Sequence, residues 1–104
     1  METKDEEKTA ADVAFRVYPD GEVVAIMPEF LGTRSPYTCM LYAHVGQHGV
    51  CHDPWALVSS TKKATPEQYA DLKRELERIG YIVRVVERIN TQAYLRARKA
   101  QVKE

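Results

Sequence analysis

The segment Thr65-Pro66-Glu67-Gln68 carries the strongest conformational instruction in this chain. A threonine can accept a hydrogen bond from the first free N–H groups of a helix. Proline suits the first turn because its missing donor would have no partner there, and a glutamine three residues after the cap can bond back to it. Tyr69, Leu72, Leu76 and Ile79 then recur at helical spacing, while Asp71, Lys73, Arg74, Glu75, Glu77 and Arg78 fill the other side and Gly80 supplies a stop. The pattern predicts a surface helix over residues 66–79 with one buried face. Apolar runs lie on both sides of it, so the helix serves as a crossover that can set a later strand parallel to an earlier one, with right-handed connection.

The earlier strands announce themselves by period two. Val13, Phe15 and Val17 alternate with Ala14, Arg16 and Tyr18. Pro19-Asp20-Gly21 then brings a fixed φ, a turn-closing side chain and a residue free to take positive φ, before a second apolar run reaches Met27. Residues 12–27 are therefore predicted to form a β-hairpin. Pro28 ends it, residues 28–36 read as a loop, and residues 37–43, Tyr-Thr-Cys-Met-Leu-Tyr-Ala, read as a third strand. Gly46 and Gly49 make residues 44–53 a loop. Asp53-Pro54 resembles a cap and first helical residue, opening a short helix to Ser59. Residues 81–86 predict the fourth strand, and a weakly amphipathic helix begins at Thr91.

The expected architecture is α+β: a four-stranded mixed sheet with helix 66–79 on one face and a C-terminal helix. Residues 1–11 are polar, charged and aperiodic, with too little apolar surface to offset the entropy of ordering them, and predict a disordered arm. Residues 12–89 form one domain and residues 90–104 a helix and tail. The remaining sheet face is expected to carry Tyr18, Val23, Ala25, Met27, Met40 and Tyr42, apolar enough to require the C-terminal helix or a second copy of the chain.

No run approaches the roughly 18 apolar residues that span a bilayer, and the acidic start lacks a signal peptide's features. Cys39 and Cys51 are too few for a disulfide scaffold, so free thiols in a reducing cytoplasm are the default expectation, with a single disulfide between the two as the alternative. The 104 residues balance 15 cations against 15 anions, but unevenly: residues 62–104 hold eleven of the cations and only six of the anions. Such asymmetry is a hint of polyanion contact.

All three histidines, His44, His48 and His52, fall within nine residues, beside Cys51 and Asp53. These are zinc's preferred ligand types. A His-x3-His pair acts together on a helix, however, and the two glycines argue against one, so the five residues are weak metal candidates and the expected metal and cofactor complement is none. Cys51 could also act as a nucleophile beside a histidine and Asp53, but adjacent residues project in different directions and no oxyanion motif accompanies them. Cys39 reads as a small core residue. Arg84, Arg88, Arg96, Arg98 and Lys99, with Tyr94 to stack a base, are the nucleic-acid candidates. Trp55 is a candidate interaction anchor.

Three segments carry a resemblance: Phe15 to Ala25, then Tyr42-Ala43-His44-Val45-Gly46-Gln47-His48-Gly49, then Ala64 to Leu72 with Ile79 to Tyr81. Over roughly residues 13–86 the chain resembles a family of small bacterial proteins associated with mobile elements or phage-like regions. The resemblance implies a shared compact fold without an established activity. It also directs attention to His44, Gln47 and His48, since Cys51 and His52 are not typical of the pattern. The leading functional expectation is a non-enzymatic interaction or accessory protein with a protein partner or a second copy of itself. Nucleic-acid binding through the basic half and a metal- or His-dependent site at the histidine loop are the alternatives.

Overall fold

The structure, a computed structural model, describes residues 8–43 and 47–102. Residues 1–7 of the expected arm, His44 and the end of the tail lie outside them. The element order is β1 (Thr9–Val17), β2 (Val23–Met27), β3 (Cys39–Ala43), β4 (Gln47–Cys51), α1 (Pro54–Ser60), β5 (Lys62–Lys63), α2 (Pro66–Arg78), β6 (Tyr81–Val85) and α3 (Thr91–Gln101). The α+β class agrees with expectation. The sheet has six strands rather than four.

The additional strands have simple causes. β4 falls where Gly46 and Gly49 suggested only a loop. Gly49 stands opposite Leu41, where a Cβ would come within 3.0 Å of a leucine methyl, so glycine here permits close strand approach instead of marking a turn. β5 is a two-residue strand that joins the edge of β1 as the chain passes from α1 to α2. β1 also starts earlier than Asp12. Thr9–Ala11 pair with Tyr81–Val83, and Ala11 is buried, so these residues of the expected arm belong to the sheet.

β1 is the strand to which the others refer. Its second half pairs antiparallel with β2, whose far edge continues through β3 to β4. On the other edge, the Val13 carbonyl accepts from Val86 N–H and the Phe15 carbonyl from Ala64 N–H. Carbonyls two residues apart point the same way, so β6 and β5 share that edge end to end. β6 runs parallel to β1, the arrangement that the crossover helix permits.

α2 forms for the reasons read from its sequence. Thr65 accepts from Gln68 N–H, the Gln68 side chain accepts from Thr65 N–H, and Pro66 opens the first turn. Gly80, at φ +117°, ends the helix in a conformation that L side chains rarely adopt. Leu72 and Leu76 enter a core made by Ala11, Val13, Phe15, Ala25, Met27 and Tyr42. Phe15 stacks on Tyr69 at 4.4 Å between ring centres. Ala25, Met27 and Tyr42 were expected on the opposite face. Register decides otherwise: opposed residues share a face, Phe15 lies opposite Ala25, and Ala25 lies opposite Tyr42.

The second face carries Ala14, Ile26, Cys39 and Cys51, covered by Leu57, Val58, Val86 and Ile89. Two charged residues of β1 secure the helices there. Arg16 donates through Nε to Thr61 Oγ1 at 2.9 Å, and through Nη2 to the carbonyls of Val58 and Thr61 at 2.9 and 2.6 Å. It thereby satisfies carbonyls at the end of α1, where a cation is favoured. Buried Asp12 accepts from Arg84 Nε at 2.5 Å and from the Tyr94 hydroxyl of α3 at 2.8 Å. The Arg84 bond, joined by that from Tyr94, holds the Asp12 carboxyl below its ordinary range against the opposing effect of burial. Burial and the bond to Asp12 push the Tyr94 phenol up to about 12.

Tyr94→Phe removes one hydrogen bond to a buried carboxylate and is expected to cost about 1.5–3 kcal/mol, the range for bonds to charged groups. In a domain of this size each 1 kcal/mol lowers Tm by about 4–8 °C, read by thermal denaturation. Because the folded-state pKa of Asp12 lies below its unfolded value, its contribution is complete above the ordinary carboxylate range and is lost as pH falls through the depressed value. Urea melts across mildly to strongly acidic pH should therefore show a shallower acid loss in Asp12→Asn than in the native chain.

Candidate functional site

The exposed aromatics of the described residues gather at one place. Trp55 is 68% exposed and Tyr37 59% exposed, and both line a groove of about 340 Å³ with His52, Asp53, Pro54, Ile89, Leu95 and Arg98. The groove lies where the start of α1, the loop entering β3 and α3 meet on the second sheet face.

Each wall has a local cause. Asp53 Oδ1 accepts from Ala56 N–H at 3.1 Å, and Pro54 occupies the first helical position, so the cap fixes the direction in which Trp55 leaves the sheet. Tyr37 was expected in the third strand. β3 instead begins at Cys39, because Thr38 closes a small polar loop: its hydroxyl donates to the Ser35 carbonyl at 2.8 Å and accepts from Thr33 N–H at 3.0 Å. That leaves Tyr37 outside the sheet, with Lys99 Nζ 5.6 Å above its ring, within the range of a cation–π contact. Asn90 caps α3 by accepting from Ala93 N–H. Leu95 and Arg98 then face inward.

Arg98 is 5% exposed. Its Nε donates to the Pro36 carbonyl at 2.7 Å and its Nη1 to the Pro28 carbonyl at 2.5 Å, so one guanidinium joins both ends of the loop between β2 and β3 to α3. A fixed fork of donors is what makes arginine suited to this double contact. The expected basic cluster is consequently divided. Arg96, two residues and about 200° around the helix from Arg98, is exposed on the other side of α3. Lys99 attends Tyr37.

The histidine cluster is divided as well. His48 lies opposite Tyr42, whose ring it meets edge-on at 4.9 Å, and its Nε2 is 3.1 Å from the Tyr81 hydroxyl. That is the α2 face. Cys51, three residues along the same strand, points to the other face, as the period of a strand requires. His52 is at the groove. Among the described residues, no three His, Cys, Asp or Glu side chains come together as a metal site. His44 lies outside the described residues, and the side chain of Gln47 is not described.

Beneath the groove, Cys51 stands directly opposite Cys39, both as free thiols. A hydrogen bond from Cys39, one from Asp53 N–H and the positive field of Arg98 favour the Cys51 thiolate, while burial and the Asp53 charge oppose it; the result pulls the Cys51 thiol down to about 7. The bond to Cys51, then burial and the charge of Cys51, hold Cys39 strongly protonated. From sequence alone Cys39 reads as a core residue and Cys51 as a loop thiol. Spacing alone could not reveal that register would oppose them.

Among the groove residues, Trp55, Arg98, His52 and Asp53 had been singled out from sequence. Tyr37, Ile89 and Leu95 had not. An aromatic immediately after Pro36 was the available signal for the first of these.

Arg98→Met should leave the Pro28 and Pro36 carbonyls without this donor and lower stability by about 1.5–3 kcal/mol, the range for hydrogen bonds to charged groups. Denaturant midpoints at constant m-value would measure it. Arg98→Lys, with one compact ammonium for two separated carbonyls, should recover only part of the loss.

No protein family, curated protein or solved structure matches this chain, and the site is defined by its own geometry.

Proposed function

We propose that this protein is a non-enzymatic interaction module that holds an extended segment of a partner protein in the groove between α1 and α3. The observation that carries the reading is the convergence of Trp55 and Tyr37, both more than half exposed, on one groove backed by Ile89 and Leu95. Trp and Tyr are the side chains that most often dominate binding energy, because each offers a large apolar face with few rotatable bonds. The volume suits one or two large apolar side chains. Lys99 beside Tyr37 supplies a cation at the rim, so the favoured segment places an Asp or Glu next to its apolar anchor.

An accessory role in a mobile element is in keeping with the resemblance of the hairpin and helix segments to such proteins. The expectation of a second copy rested on an open apolar sheet face. Leu57, Val58, Val86 and Ile89 of the same chain cover that face, and a partner protein at the groove is the stronger reading. Among the described residues no helix is long and apolar enough to cross a membrane.

Selection of a random peptide library on the native chain, with counter-selection on Trp55→Ala, tests the proposal. Enriched peptides should share a large apolar residue beside a carboxylate, should quench the single tryptophan, and should bind Trp55→Ala about 30-fold more weakly, as loss of a central aromatic anchor entails. Failure to enrich any common pattern would overturn the peptide reading. Binding of single-stranded oligonucleotides that falls steeply with salt and weakens after replacement of Arg96 and Lys99 would replace it with the nucleic-acid reading.

A further inference from the structure

The paired thiols below the groove are not needed for holding a peptide, and their arrangement has a chemistry of its own. Cys39 and Cys51 are direct partners in the antiparallel register of β3 and β4. Such partners have Cα atoms about 4.5–5.5 Å apart, inside the roughly 4.4–6.8 Å that a disulfide spans. Their Cβ atoms lie about 4.5–5.5 Å apart, at or beyond the upper end of the preferred range for a disulfide. The bond can therefore close with a small approach of two strands, and the tension it would retain makes it easy to reduce.

The surroundings distinguish the two sulfurs. Cys51 retains 5% exposure and is followed by His52 and Asp53 of the groove wall, whereas Cys39 is wholly enclosed. Cys39 faces Cys51 across the register, and Arg98 contributes a buried positive charge that favours the Cys51 thiolate. An electropositive pocket with a second thiol on the facing strand is the setting in which a cysteine is oxidised selectively.

We infer that Cys39 and Cys51 form a peroxide-reactive dithiol that closes reversibly into a disulfide between β3 and β4. The Cys51 thiolate attacks one oxygen of hydrogen peroxide. The O–O bond breaks, and the departing hydroxide takes up a proton to leave as water, giving a sulfenic acid at Cys51. The Cys39 sulfur then attacks the Cys51 sulfur, the S–O bond breaks, and the proton of Cys39 leaves with the hydroxide as a second water. Two thiols have together lost two electrons and two protons to one peroxide. The first step also eases the second, because a neutral sulfenic acid removes the negative charge of Cys51, one of the influences, after their bond and burial, that hold Cys39 protonated. A small dithiol or glutathione-class thiol reverses the reaction by exchange.

The test uses the full chain, reduced, exposed to hydrogen peroxide, then unfolded in an alkylating agent and weighed intact. The expected product is a monomer lighter by two hydrogens that takes up no alkyl group and regains both sites after dithiothreitol. In Cys39→Ser, a cyclic dione should trap the sulfenic acid at Cys51. In Cys51→Ser, peroxide consumption should fall at least about tenfold, because the buried Cys39 is no thiolate. Full alkylation of both cysteines after peroxide, or a disulfide-linked dimer as the oxidised product, would overturn the inference. Neither result bears on peptide capture, which Trp55→Ala tests separately.

Discussion

β1 fixes the position of everything else in the described structure. One edge of this nine-residue strand is taken by β2, and the other is shared by β6 and β5. Its two faces divide the work. Odd-numbered residues bury apolar surface under α2, while Asp12 and Arg16 on the other face reach the elements packed there. These two lie four residues apart, or about 13 Å along a strand. Arg16 secures the end of α1, and Asp12 secures α3 through Tyr94. The separation of the two helices that border the groove is thus tied to a distance along one strand, which is a stiff element, and not to the loops that connect them.

Charge inside this second face is tolerated because it is fully answered. Arg16 and Arg98 each meet main-chain carbonyls, and Asp12 meets a guanidinium and a phenol. An unanswered charge there would cost several kcal/mol, and apolar replacements of similar shape could serve stability as well. What the polar contacts add is direction. A guanidinium bonded to both Pro28 and Pro36 permits one placement of α3 over that loop, where a leucine at residue 98 would permit several. The groove therefore has a defined shape before any occupant arrives, and preorganisation of that kind reduces the ordering cost of binding.

The elements that were legible in the sequence are those specified by neighbouring residues. The Thr65–Gln68 capping box, the Asp53-Pro54 start of α1, the turn before Gly21 and the period of β1 all depend on residues within a few positions of one another. What was not legible depended on register. Whether Ala25 and Tyr42 face α2 and whether Cys39 meets Cys51 are set by which residues stand opposite, and a shift of one position inverts both answers. Gly49 misled for a related reason. Its role is to admit Leu41 from the neighbouring strand, a contact invisible until the strands are paired. Arg98 looked like surface charge because its partners, Pro28 and Pro36, lie more than sixty residues away.

The groove and the dithiol are joined by covalent sequence and by one side chain. Tyr37 lies two residues before Cys39, and His52 to Trp55 follow Cys51 directly, so both aromatic walls leave the sheet next to the two sulfurs. Arg98 lines the groove, holds α3 to the loop and places positive charge near both thiols. Drawing β3 and β4 together at the Cys39–Cys51 pair would act on the bases of both walls at once, whereas α3 would stay anchored to β1 through Asp12. Because Arg98 also ties α3 to Pro36 beside Tyr37, such a movement would act first on the spacing between Trp55, which leaves the sheet just after Cys51, and Leu95 of α3.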